Sequence, residues 1–223
     1  MSARDEIYSN IRRSLGVRAD DAARRAIVRN RIEASAPGIR PQRGEGDLGT
    51  RSATFRAQAE SVSATVAFVE RGEDVPPEIA RFLRDHNLPT TLRMGEDARL
   101  AALPWTNTPL TISLGPSDGG DLNAVSHAEA GVAETGTLVI VSGAHNPSTL
   151  NFLPDNHIVV VRAGEIEATY EDALARVRER YGKGQMPRTV NLITGPSRSA
   201  DIEQKLLLGA HGPRRLHVVI VKA

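Results

Sequence analysis

Cysteine is absent from all 223 residues. Disulfides, thiolate-held iron–sulfur clusters and cysteine zinc sites are therefore excluded within this chain, and any redox chemistry needs electron carriers on other chains or on a bound small molecule. Aromatic residues make up only 4%, with Trp105 the single tryptophan, so a base-stacking surface is poorly supported and no nucleic-acid partner is expected. No apolar run approaches the roughly 20 residues that span a bilayer, and the longest, His157–Val161 with its flanks, has strand length. The phosphate-loop pattern G-x-x-x-x-G-K-S/T is missing. No histidines pair at helical spacing with a carboxylate, so no metal site is expected.

What remains is an ordinary composition, 40% hydrophobic and 25% charged, with a net charge of +1. That total hides an asymmetry. Residues 1–43 hold ten arginines against five acids, +5, and the remaining 180 carry −4. Such an arm can be a solvated helical face, or it can meet an acidic partner or the body itself. Asp5, Glu6, Asp20, Asp21 and Glu33 argue against a transit peptide, and no secretory signal is read.

Ser2 suits an N-cap, and Ile7, Ile11 and Leu15 form a stripe closed by Gly16. A second helix is expected from Asp20 or Asp21 to just before Pro37. Residues 1–36 thus read as a helical arm, 37–49 as a Gly/Pro linker, and 50–223 as the main domain. There the pattern alternates. A helix over Arg51–Ser61 precedes a strand at Thr65–Val69. Pro76-Pro77 opens a helix with Ile79, Phe82 and Leu83 on one face. Strands follow at Thr90–Met94, Leu110–Leu114 and near Ala124–Ser126. The continuous apolar runs Leu138–Val141 and Ile158–Val161 suggest central strands covered by helices on both faces. Thr169 caps a helix ended by Gly182, and Thr189–Thr194 and His217–Val221 are the last strands. This alternation predicts an α/β fold with a parallel-rich sheet flanked by helices.

Two turns carry chemistry. In Glu134-Thr135-Gly136-Thr137, Gly136 permits close backbone approach, the threonines offer hydroxyls, and Glu134 can accept from a ligand or act as a base; a plain tight turn reads equally well. In Gly195-Pro196-Ser197-Arg198-Ser199, with Asp201 and Glu203 behind, a serine can cap a following helix, and Arg198 would meet a carboxylate or phosphate there; an internal Arg198–Asp201 brace is the alternative. His211, between Gly209 and Gly212-Pro213, sits in a loop suited to ligand contact. His157 and His217 each begin an apolar strand and read as packing or hydrogen-bonding residues. The two turns are expected at one end of the sheet, lining one cleft, because open α/β sheets bind ligands at strand carboxyl ends.

The order Ala133-Glu134-Thr135-Gly136-Thr137-Leu138-Val139, Leu153-Pro154 with His157–Val161, Gly195-Pro196-Ser197-Arg198-Ser199-Ala200-Asp201-Ile202-Glu203, and Gly209-Ala210-His211-Gly212-Pro213 resembles the LutC/YkgG family of LUD-domain proteins over roughly residues 50–223. Ser199 stands where that family suggests threonine, which keeps the hydroxyl. The resemblance implies a fold similar to the NagB/RpiA/CoA-transferase superfamily. It also implies a cytoplasmic role in converting L-lactate to pyruvate beside two partner proteins, of which at least one carries iron–sulfur clusters. The favoured reading is an accessory or assembly component of that system that binds a small anion or a partner. The missing cysteines fit that division of labour. Fold analogy leaves an alternative, a CoA-transferase-like enzyme with Glu134 as attacking carboxylate. The expected ligand-binding residues are Glu134, Thr135, Gly136, Thr137, Ser197, Arg198, Asp201 and His211, with no cofactor in this chain.

Overall fold

The computed structural model describes residues 2–34, 36, 38–199 and 207–222. The chain divides into two compact units, residues 1–39 and 40–223. The small unit contains α1 (Ala3–Ser14) and α2 (Ala22–Ala34). The Ser2 hydroxyl accepts from Asp5 N–H while the Asp5 carboxylate accepts from Ser2 N–H, a reciprocal cap, and Asp21 accepts from Arg24 N–H at the start of α2. Neither helix buries a residue, and Ile7, Ile11, Leu15, Ile27, Val28 and Ile32 are all exposed.

The large unit runs α3 (Leu48–Ser61), β1 (Thr65–Val69), α4 (Val75–Asp85), β2 (Thr91–Met94), α5 (Ala98–Ala101), β3 (Thr111–Leu114), β4 (Asn123–His127), β5 (Ala130–Val132), β6 (Thr137–Val141), β7 (Asn156–Arg162), β8 (Ile166–Glu167), α6 (Tyr170–Tyr181), β9 (Val190–Ile193), β10 (Arg198–Ser199), β11 (Leu207–Leu208) and β12 (Arg215–Val221). Six strands form an all-parallel sheet in the order β1-β12-β7-β4-β2-β3. The expected parallel-rich sheet flanked by helices, with N-terminal helices ahead of it, is therefore present. The strands at 138–141 and 189–194 depart from expectation. They lie outside the parallel sheet, in a second sheet of order β8-β5-β6-β9 where β6 pairs antiparallel with both β5 and β9.

Strand alternation explains why both sheets need apolar runs. Ile158, Val160, Val219 and Val221 pack with Ile79, Phe82 and Leu83 of α4 on one face of the parallel sheet. Val159, Val161, Val218 and Ile220 pack on the other face with Phe55 and Ala59 of α3 and with Leu138 and Ile140 of β6. The outward residues of β6, Val139 and Val141, meet Ala173 and Val177 of α6. Strand β6 is thus covered on both sides, by the parallel sheet and α3 on one and by α6 on the other. Each such side chain contributes about 1.5–3 kcal/mol on burial.

The segment expected as a linker belongs partly to the large unit. Arg40 pairs with Asp172, and Gly44 is buried where an added Cβ would lie 2.1 Å from the Ala168 carbonyl oxygen. Asp47 then caps α3 by accepting from Thr50 N–H at 2.8 Å.

Candidate functional site

A cavity of about 320 Å3 opens where the amino ends of β7 and β12 meet the carboxyl end of β9. Its walls are the loops Thr194–Arg198 and His211–Pro213, closed below by Asn151, His157 and Leu216. The two loops are stapled together. Ser197 N–H donates to the Pro213 carbonyl and the Ser197 carbonyl accepts from Gly209 N–H, both at 2.8 Å. Gly195 has φ +74, and an added Cβ would meet the Val62 carbonyl oxygen at 2.5 Å, so only glycine lets this turn seat against the end of α3.

Arg198, Ser197 and His211 therefore line one cavity, with Arg198 and His211 exposed at its rim. Among the described residues Arg198 forms no ion pair. The helix expected to follow these serines lies outside the described residues. Arg198 and Ser199 form a short strand paired antiparallel with Leu207 and Leu208, and Asp201 lies outside the described residues.

The Glu134–Thr137 turn stands elsewhere. Glu134 is buried, with one carboxylate oxygen accepting from Tyr170 N–H at 3.3 Å in the first turn of α6 and the other 3.7 Å from Arg43. Gly136, at φ +66, presses on α3 with its would-be Cβ 2.4 Å from Ala59 N. Thr135 and Thr137 share a hydroxyl network with the Tyr170 phenol. None of the four lines the cavity. They reach it through one contact, Thr137 Oγ1 to Thr194 Oγ1 at 2.6 Å. The single shared cleft expected for the two turns is therefore not formed, and Glu134 faces the α6 backbone where a carboxylate nucleophile would need to face a ligand.

The carboxyl ends of β2 and β4, where the general rule places ligands, carry ion pairs beside a cavity of about 480 Å3 lined by Asp97, Arg99, His145 and Arg180. Arg99 grips Asp97 with two hydrogen bonds, 3.0 and 2.8 Å, and Arg180 pairs with Glu129. His127 lies beside them, and burial together with the Arg99 charge lowers its pKa to about 4. Among the described residues no three His, Asp or Glu are placed to hold a metal ion, and no helix is long and apolar enough to cross a membrane.

Sequence reasoning missed the cavity floor. His157 and Asn151, 1% and 2% exposed, flank Ser126, with His157 Nε2 to Ser126 Oγ at 3.1 Å and Ser126 Oγ donating to Asn151 Oδ1 at 3.3 Å. These residues sit 25 and 31 positions apart in sequence, and no local spacing announces them.

Residues 123–221, from β4 to β12 and including the whole cavity, match the family model described as the LUD domain. The match covers a little under half of the chain. It is similar to a lactate utilization protein C from Geobacillus sp. (strain WCH70), 32% identical over 133 residues, 55% of each chain. A second, from Geobacillus thermodenitrificans (strain NG80-2), is 37% identical over 98 residues, 44% of this chain and 41% of that one. The matched part spans about half the length of these relatives. The crystal structure of a DUF162 family protein from Deinococcus radiodurans shares the fold, with TM-score 0.58 and 20% identity over 79% of this chain and 99% of that one.

Proposed function

We propose that this chain is an accessory component of an L-lactate to pyruvate oxidation system, works beside iron–sulfur partner proteins, and binds a small anionic ligand in the cavity between the 194–198 and 211–213 loops. The observation that carries the reading is the cavity itself: an arginine outside any ion pair of the described residues stands at the rim of a concave site in the LUD domain. A guanidinium there recognises a carboxylate or phosphate through paired hydrogen bonds. The names of the relatives support the lactate setting, and the absence of cysteine leaves no thiolates to hold clusters in this chain.

The test is complementation. A strain lacking this chain should lose growth on L-lactate as sole carbon source and regain it with the wild-type gene. An Arg198→Ala gene should restore it poorly, because hydrogen bonds to charged groups are worth about 1.5–3 kcal/mol. Purified tagged protein from lactate-grown cells should bring with it proteins showing an iron–sulfur paramagnetic signal. Unimpaired growth without the chain would refute the role.

A further inference from the structure

The floor of the cavity has a chemical demand of its own. Ser126 has one hydroxyl proton and stands between two partners. As the hydrogen bonds run, it donates to Asn151 Oδ1 and takes the proton of His157 Nε2. His157 is then neutral with a bare acceptor at Nδ1, and Asn151 keeps an unused donor at Nδ2. Both atoms are buried and have no hydrogen-bond partner among the described residues. If the chain ran in the opposite sense, with the amide turned over, Nδ1 would carry the proton and the amide oxygen would be free. Either sense leaves one donor and one acceptor, on two residues that line the same cavity. An unmet buried polar group is costly, so such a pair favours a ligand that supplies both complements.

A hydroxyl does both, since it gives one hydrogen bond and takes another. A carbonyl only takes, and a methylene does neither. We propose that His157 and Asn151, held by Ser126, read a hydroxyl group on the ligand, so that the cavity selects a hydroxy anion over its oxo and deoxy counterparts. Arg198 at the rim takes the anionic end, and Ser126 is a positioning residue that acts through its two neighbours. The inference rests on the anion-binding reading of the cavity and adds the specificity. A three-carbon acid fills only part of a space of about 320 Å3, so small acids serve as probes of this chemistry.

The experiment is calorimetric titration of the full chain with L-lactate, pyruvate and propionate, which differ only at C2. L-lactate is expected to bind at least about tenfold more tightly than either of the others, since sites built for a hydroxyl reject ligands that lack it. Ser126→Ala is expected to shrink that preference to about threefold or less, whereas Arg198→Ala weakens all three acids alike. Equal affinity for the three acids would overturn hydroxyl reading and leave the anion site standing. Binding of none would overturn both. Undiminished preference in Ser126→Ala would also overturn the proposal. Should that variant fail to fold, imidazole 15N spectra of the wild-type protein decide. The His157 Nδ1 resonance is expected to shift on saturation with L-lactate and not with propionate, and an unmoved resonance would overturn the assignment.

Discussion

At the scale of single residues, two histidines are held neutral inside the large unit. Burial lowers the His157 pKa to about 3, and burial with the Arg99 charge lowers that of His127 to about 4. An unfolded chain titrates these groups near 6.5. The native state therefore binds fewer protons than the unfolded state throughout the interval between those values. Their contribution is complete above about pH 6.5 and is lost as pH falls toward 4 and then 3, at up to about 1.4 kcal/mol per pH unit for each ring. Glu78 acts in a lower window. Burial alone would raise its pKa, but the His217 ring, its Nε2 3.3 Å away, and the hydrogen bonds from Arg81 prevail and bring it to about 2. Its contribution is thus present above about pH 4.5 and lost as pH falls toward 2. Thermal melts should show the melting temperature dropping between pH 6.5 and 5, above the ordinary carboxylate range, with a shallower slope in His127→Gln. A flat profile across that interval would show that neither ring is held neutral.

At the scale of elements, α6 is anchored by a helix cap and by one group, Glu134, that looks catalytic in the sequence. Thr169 is fully buried, accepts from Asp172 N–H at 3.4 Å and donates to the Asp172 carboxylate at 2.9 Å, while Glu134 accepts from Tyr170 N–H. Glu134→Ala should cost about 1–3 kcal/mol, the loss expected when a buried hydrogen-bonded group is removed, and should leave anion affinity in the cavity unchanged. Denaturant unfolding and titration of the same variant separate the two effects. Full stability with lost binding would return Glu134 to the ligand site. The cap at Thr169, the α4 face and the strands at 158–161 and 217–221 were legible because each is written in consecutive residues. The second sheet was not. The run Leu138–Val141 has the composition of any strand buried on both faces, and its antiparallel partner, Val190–Ile193, lies some 50 residues further on. The turn at 195–199 was legible as a turn through its glycine and proline. Its continuation as β10 was not, because the pairing residues Leu207 and Leu208 lie beyond the apparent cap. Ser126, Asn151 and His157 become one group only when β4, β7 and the turn before β7 are packed together.

At the scale of the whole molecule, every residue of the three apolar clusters falls at position 55 or later, and neither α1 nor α2 buries a side chain. The core therefore does not draw on residues 1–39. The next ten residues differ in kind. Arg40 pairs with Asp172 of α6, Gly44 lies against the Ala168 carbonyl and Glu134 N, and Asp47 caps α3, which carries Phe55 and Ala59 into the core. Two truncations divide these cases. Removal of residues 1–39 should leave the melting temperature within a few degrees of the full chain. Removal of residues 1–49 should lower it clearly, since the loss of the α3 cap alone costs about 1 kcal/mol, and 1 kcal/mol shifts the midpoint of a domain this size by about 2–4 °C. The α1 stripe of Ile7, Ile11 and Leu15 is largely exposed, and an isolated helix of this length is marginal in water. A large drop already in the first truncation would mean that these side chains support the core after all. Equal melting temperatures in both would mean that Arg40, Gly44 and Asp47 contribute nothing to holding α3 and α6 in place.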